Sequence, residues 1–370
     1  MKLITGIITH YGVHNHGAQL QLFALITMLR NKGHECAALQ FEKDYRYMGK
    51  EAKNKYSISI KSLPYYAKYL LSKGVGKTLF NIEKKRIFDN FRASHNLLGE
   101  HYEKFHGDLA IVGSDEVFSF ETGVTDAFWG KNCHSKKLVS YAASFGPTTV
   151  NEIHEKQLEK YVIDGLNRFS FLSVRDKNSA DIVSEFSKKQ VVRNCDPVIF
   201  YGYSNEIEKY SKCLKKTKPY ILLYSYDNNM NSEEDVSLIR SVSKELNLPV
   251  YSVGFYHQWC DKNINANPLE LLGWFKNASY VITDTFHGTV LSLITHSLFA
   301  TKVRGNSNKL CNLLAEYGLE NRIFADSDIC LRILKTPVDY GAVEQKMHIY
   351  RQDAESYLNT VLNKLENTNA

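Results

Sequence analysis

Val281-Ile-Thr-Asp-Thr-Phe-His-Gly-Thr-Val-Leu-Ser-Leu-Ile294 reads as a buried strand, a polar turn and an apolar helix. The strand residues show no in-out alternation, as expected where both faces of a parallel sheet are covered. In sheets of that kind ligands collect beyond the carboxyl ends of the strands. The turn holds Thr283, Asp284, Thr285, His287 and Gly288, and it is therefore expected to form part of an active site. Histidine can move a proton near neutral pH, so His287 is the reactive group of the segment.

The same grammar extends along the chain in both directions. Leu3 to Thr9, the helical pattern Gln19 to Asn31 and Cys36 to Phe41 make one β-α-β unit. Short apolar runs follow at Leu109 to Val112, Leu138 to Ala142, Phe171 to Val174 and Gln190 to Asn194. A second series comprises a strand from Tyr220, a helix over Glu233 to Leu246, a strand over Val250 to Val253, a helix over Pro268 to Asn277 and a strand over Tyr280 to Thr283. The length of 370 residues exceeds what one core usually serves. Two Rossmann-like α/β domains are predicted, 1–204 and 205–342, with the lysine-rich stretch Lys209 to Lys218 in their connection. The helix of 343–370 is predicted to pack back on the domains.

Residues 43 to 92 do not fit the alternation and carry thirteen Lys or Arg against four Asp or Glu, with Tyr45, Tyr47, Tyr56, Tyr65, Tyr66 and Tyr69 interleaved. They read as a helical basic insertion in the first domain, about 43–107. It is either a solvated face or a surface for anionic lipid headgroups. No nucleic-acid-binding motif accompanies the charge, so a nucleic-acid partner is not expected. Lys73-Gly-Val-Gly-Lys-Thr78 resembles the end of a phosphate loop, but Leu71 stands where the first glycine is required. No run approaches the roughly 20 apolar residues of a membrane span. The seven cysteines lack C-x-x-C spacing, which fits a reducing cytoplasm and suggests neither a disulfide framework nor a zinc knuckle.

Further strand-end turns carry candidate side chains. Tyr11-Gly-Val-His-Asn-His-Gly-Ala-Gln offers His14, Asn15, His16 and Gln19 to a hydroxyl-rich ligand; the two histidines lack a third metal ligand, so no metal site is assigned. Gly113-Ser-Asp-Glu116 projects Ser114 and Asp115, the latter either a base toward a sugar hydroxyl or a helix N-cap. Ser144 ends another strand, and Arg175 stands before a helix start, where an anion would meet it or where Asp176 would pair with it.

Taken in order, N-x-G-A-x-L-Q at Asn15 to Gln21, G-S-D-E-V-F at Gly113, Y-A-A-S-F-G at Tyr141, S-V-R-D at Ser173, D-P at Asp196, T-D-T-F-H-G-T at Thr283 and G-L-E-N-R at Gly318 resemble the polysaccharide pyruvyl transferases. The resemblance implies a GT-B-like fold, two Rossmann-like domains facing across a cleft. It also implies transfer of pyruvate from phosphoenolpyruvate to a sugar, giving a pyruvate ketal. By motif, Arg175, Thr285, Phe286 and Gly288 fall on the donor side, with Arg304 and Lys309 as further basic candidates. His14, Asn15, His16, Gln19, Ser114 and Ser144 fall on the acceptor side, with His287 and Asp115 catalytic. Part of the family has R-L-H where this chain has Thr285-Phe286-His287, which leaves Arg304 or Lys309 to meet the donor's carboxylate.

Such chemistry needs an acid, a base and cationic donors, and no redox cofactor or obligatory metal. Phosphoenolpyruvate is the co-substrate, and the partner is a saccharide acceptor, free or lipid-linked, such as a galactose-type residue of a capsular, exopolysaccharide or cell-wall glycan precursor. The expected location is the cytoplasm, with the insertion available to the inner face of the membrane. A GT-B glycosyltransferase with a nucleotide-sugar donor is the alternative, because fold alone does not fix chemistry. A non-catalytic carbohydrate-binding protein is a third reading.

Overall fold

A computed structural model describes residues 2–43, 63–121, 124–305 and 308–366, with backbone alone for 63–73, 308 and 366. Contacts divide the chain into two compact units, one from Met1–Ile58, Arg92–Tyr201 and Met347–Ala370, the other from Ser59–Phe91 and Gly202–Lys346.

The first unit contains strands β1 (Ile4–Ile8), β2 (Glu35–Gln40), β3 (Leu98–His101), β4 (Leu109–Val112) and β5 (Lys137–Ser140) in the parallel order β3-β2-β1-β4-β5. The short parallel pair β6 (Leu172–Val174) and β7 (Val191–Arg193) continues from β5 through the bridges Val139 to Phe171 and Ala143 to Val174. Every residue of β4 is buried, as the unbroken apolar run predicts. An aromatic cluster of Phe118, Phe120, Phe128, Trp129, Phe145 and Phe169 fills the core beside it. From Met347 onward, the helix Tyr340–Glu366 belongs to this unit. Its apolar positions Ala354, Leu358, Val361 and Leu362 are buried, and the Tyr357 hydroxyl donates to the Ser140 carbonyl at 2.6 Å.

The second unit contains β8 (Ile221–Tyr224), β9 (Val250–Val253), β10 (Lys262–Ile264), β11 (Tyr280–Thr283) and β12 (Phe299–Thr301), parallel in the order β10-β9-β8-β11-β12. In each sheet the strand order reverses direction once, between β1 and β4 and between β8 and β11. Open α/β sheets form their ligand crevice beyond the carboxyl ends of the strands at this reversal.

Two segments differ from the sequence reading. Ser59–Phe91, placed by sequence in the first domain, groups with the second unit. Apolar burial is the reason: the Phe80 ring, 7% exposed, lies 5.7 Å from Tyr256, and Asn265 Nδ2 donates to the Phe80 carbonyl at 3.0 Å. The lysine-rich stretch read as the connection is helical at Lys209 and Lys212, which lie in the helix Ser204–Cys213, docked on the helix Pro268–Asn277. Gly273 permits this approach, since a Cβ there would stand 2.6 Å from the Tyr210 carbonyl oxygen. Tyr45, Tyr47 and Tyr56, and the side chains of Tyr65, Tyr66 and Tyr69, lie outside the described residues, and with them most of the basic aromatic surface. Among the described residues no helix is long and apolar enough to cross a membrane.

Candidate active site

In the second unit the turn after β11 is built from its own hydroxyls. Thr283 Oγ1 donates to the Tyr224 carbonyl at 2.6 Å and accepts from the Thr285 amide at 3.1 Å. Thr285 Oγ1 caps the helix Phe286–Thr295 by accepting from the Gly288 amide at 2.9 Å. A Cβ on Gly288 would lie 2.0 Å from Thr283 Oγ1, so only glycine lets the helix start this close to the strand end. His287 follows in the first turn of the helix, 7% exposed, with its ring edge-on to Phe286 at 5.3 Å. Thr285 is thus committed to the cap, and the helix start brings its amides to the reversal point between β8 and β11.

Around this turn stands an ion-pair network. Asp284 Oδ2 accepts from Asn229 Nδ2 and from Arg304 Nε, both at 2.9 Å. Arg304 also donates to Asp235 Oδ2 at 2.8 Å, and Lys302 donates to Asp235 Oδ1 at 2.6 Å. Burial pushes the Asp284 carboxyl up, partly offset by the bonds from Asn229 and Arg304. Asp235 is pushed up by burial too, but bonds from Lys302, Arg304 and Ser232 outweigh it and hold the carboxyl below its ordinary value. Two cations thus face two carboxylates, and the formal charge of the cluster is zero. Lys309 is exposed at the start of the helix Asn308–Tyr317.

The first unit presents the loops after β1 and β4 at its own reversal point. Asn15 caps the helix His16–Asn31, its Oδ1 accepting from the Ala18 amide at 3.3 Å. Gln19 Nε2 donates to the carbonyls of Tyr11 and Val13 at 2.8 and 3.1 Å, so its amide clamps the loop that carries His14. His16 is fully buried and His14 partly so. Gly113, at φ +123°, leaves no room for a Cβ, which would meet the Tyr141 carbonyl at 2.2 Å. Asp115 follows with φ 86°, in the region that ordinary residues avoid. No helix begins at Asp115, so it is not an N-cap; its Oδ1 accepts from the Glu116 amide at 2.9 Å. Ser114 is fully buried, and Thr9 Oγ1 donates to its carbonyl at 2.9 Å. Ser144 is equally buried, and its hydroxyl donates to Asp176 at 2.6 Å.

Arg175 belongs to this first unit and not to the unit of His287. Its NH1 donates to Asp196 Oδ2 at 2.9 Å, its NH2 lies 3.9 Å from Asp115, and Gln21 donates to the same Asp196 oxygen at 2.5 Å. Burial opposes the charge on Arg175, but Asp196, Asp115 and Asp176 more than compensate and raise its pKa. Asp176, offered by sequence as its pair, instead caps the following helix through the Ser179 amide.

Several residues of these edges had no sequence signal strong enough to single them out. His10 follows β1 within the field of Asp115, its ring edge-on to Phe128 at 4.8 Å, and burial pushes its pKa down. Asp227 and Asn229 follow β8 in a stretch rich in Asn and Asp that reads only as a turn, and Asp235 sits in the first turn of the helix Glu233–Leu246, where an acid reads as ordinary. The G-L-E-N-R motif proves architectural: Arg322, 2% exposed, donates to the carbonyls of Ile333, Thr336 and Pro337 and so closes the end of the helix Ser327–Lys335. The phosphate-loop-like string lies within the helical segment Leu63–Ser94, which kinks at Gly74 (φ 75°), and Lys77 pairs with Asp227 at 3.3 Å.

Two parallel sheets of this order, with polar strand-end turns at each reversal point, define a GT-B-like α/β architecture. The solved structures it resembles agree. It matches UDP-GlcNAc 2-epimerase from Methanocaldococcus jannaschii at 12% identity and TM-score 0.51, over 95% of this chain and 99% of the other. It matches UDP-N-acetylglucosamine 2-epimerase from Rickettsia bellii at 11% identity and TM-score 0.52, over 99% and 97%. The trehalose 6-phosphate synthase of Burkholderia multivorans matches at 8% and 0.52, over all of both chains. At such identities the likeness concerns the fold alone. No curated protein sequence matches. Residues 15–296 match the polysaccharide pyruvyl transferase family, and the chain belongs to that family of transferases, whose acceptors are saccharides.

Proposed function

We propose that this protein transfers pyruvate from phosphoenolpyruvate to a sugar hydroxyl pair, forming a cyclic ketal on a galactose-type residue of a capsular, exopolysaccharide or cell-wall glycan precursor. The family match across 15–296 carries the reading. His287, held at the strand-order reversal of the second unit by the hydroxyl-built turn, is the group suited to proton transfer. In this route a proton reaches the methylene carbon of the enol ester and makes the phosphate-bearing carbon electrophilic. A sugar hydroxyl attacks that carbon and loses its proton to a base, for which Asp115 is the candidate. Inorganic phosphate leaves with the C–O bonding pair, and a neighbouring hydroxyl closes the ketal. The second unit serves the donor and the first the acceptor, His14, Asn15, His16 and Ser114 lying along its strand ends. Arg175 acts through Asp115 and Asp196, which it orients. No redox cofactor or metal enters this scheme. The enzyme would work in the cytoplasm, on a free or lipid-linked acceptor, with basic residues of 43–92 as a contact to the inner membrane face.

The test follows phosphate release and ketal formation by 31P and 1H NMR with phosphoenolpyruvate and galactose-containing acceptors. Turnover that His287→Ala abolishes in a folded protein supports the assignment. Absence of phosphate release over a range of acceptors, together with turnover of a uridine diphosphate sugar, would replace it with the nucleotide-sugar reading.

A further inference from the structure

A phosphoenolpyruvate donor brings up to three negative charges, yet the arginines that the sequence offers are already matched by acids. Arg304 and Lys302 share Asp235 and Asp284, and Arg175 shares Asp196 and Asp115. The helical segment Leu63–Ser94 supplies a different cation. Lys84 is 8% exposed, and its ammonium stands 4.2 Å from the centre of the Phe255 ring and 5.8 Å from that of Phe88. Phe255 follows the carboxyl end of β9, on the same sheet edge as Asp227 and Asn229 after β8.

Asp227 is the acid whose field acts on Lys84, but both of its oxygens are taken. Oδ1 accepts from the Tyr256 amide at 3.0 Å, and Oδ2 pairs with Lys77 at 3.3 Å. Lys84 therefore feels the field of Asp227 while forming no hydrogen bond or ion pair among the described residues. A mostly buried lysine whose ammonium meets aromatic faces and no carboxylate of its own is costly, and an anion is what would relieve it. Lys77, on one helical face with Lys84, adds a second cation already half neutralised. Burial lowers the Lys84 pKa to about 8, against the partial opposition of Asp227.

We infer that Lys84, carried on the helical segment from outside the second sheet's own β-α series, binds an oxyanion of the donor, carboxylate or phosphate, at the carboxyl edge of β8 and β9. The inference rests on the phosphoenolpyruvate reading for the identity of the anion, though not for the existence of the subsite. It supplies the positive charge that the missing arginine at Thr285 withholds.

The experiment observes the lysine ε-carbons of the full chain by 13C NMR, with Lys84→Met assigning the resonance. Inorganic phosphate and phosphoenolpyruvate are each titrated in, and the Lys84 midpoint is followed with pH. The charged groups around it, Asp227 and Lys77, are present in every sample. An upward movement of the midpoint on saturation with either anion supports the subsite. Calorimetry with phosphoenolpyruvate should then show binding weakened roughly 10- to 100-fold in Lys84→Met, the range of one charge-assisted hydrogen bond. A Lys84 midpoint indifferent to both anions overturns the inference, even where the wild type turns over phosphoenolpyruvate. A midpoint that responds to phosphate in a protein that uses a nucleotide sugar keeps the subsite and removes only the donor reading.

Discussion

Replacing Lys84 by Met should make the protein more stable near neutral pH, the reverse of the usual outcome of a buried substitution. The native amine titrates near 8 against an ordinary 10.5. Every tenfold weakening of proton binding corresponds to about 1.4 kcal/mol, so the charged form is disfavoured by about 3 kcal/mol at pH 7. That figure already contains the cation–π attraction of Phe255 and Phe88. Methionine keeps the length and fills the same apolar space at a repacking cost of about 1 kcal/mol, so a net gain of about 2 kcal/mol is expected at pH 7. The native pKa lies below the unfolded one, so between about pH 8 and 10.5 the unfolded chain binds more protons and wild-type stability rises with pH. The methionine variant lacks this contribution, and its advantage should shrink across that window and be gone above it. Urea unfolding followed by circular dichroism at pH 7, 9 and 10.5 reads the difference directly. A variant less stable than wild type at pH 7, or an advantage that does not change with pH, would refute the account of Lys84 as a cation held at a cost.

Three other substitutions probe the same unit. Asp235→Asn leaves Lys302 and Arg304 short of a carboxylate and should cost about 3–5 kcal/mol at pH 7. Because the Asp235 pKa is lowered, the loss should be full above the ordinary carboxylate range and fade as the pH falls through the native value, as acid titration of both proteins would report. Gly288→Ala forces a methyl group onto Thr283 and Thr285 and should cost about 1–3 kcal/mol, seen as a lower melting temperature, while also displacing His287 and reducing turnover. Arg322→Met removes the donors to three carbonyls and should cost about 3 kcal/mol, with faster amide exchange at the end of the helix Ser327–Lys335; unchanged exchange there would contradict its capping role.

The central strands are legible because they are covered on both faces: β4 and β8 are unbroken apolar runs, β1, β9 and β11 are apolar runs interrupted only by small residues such as Thr, Gly or Ser, and each lies within a residue or two of its place in the sequence reading. β3, β10 and β12 stand at sheet edges and are absent from the sequence reading: β3 and β10 have residues in solvent and no apolar run, and β12, though buried, is only three residues long. Among the candidate residues, the turns Gly113 to Asp115 and Thr283 to Thr289 stand out in the sequence because Gly113 and Gly288 mark backbone with no room for a Cβ. The acids that neutralise Arg175 and Arg304 were not readable as such, since Asp196 and Asp235 lie 21 and 69 positions away and meet them only in the folded sheet. Lys84 was hidden for a different reason: in a lysine-rich helix its spacing looks like that of any solvated lysine.

Neither unit is a contiguous stretch of chain. The second takes Ser59–Phe91 from the middle of the first, and the first recovers Met347–Ala370 only after the second is complete. On the ribosome, then, the amino-terminal sheet emerges early but must wait for the rest of the chain before Tyr357, Leu358 and Val361 can close over it. A gene cut near residue 205 would yield two fragments, each lacking a piece of its own core, so that tolerance to splitting should be sought by complementation of overlapping fragments and not by expression of either half alone.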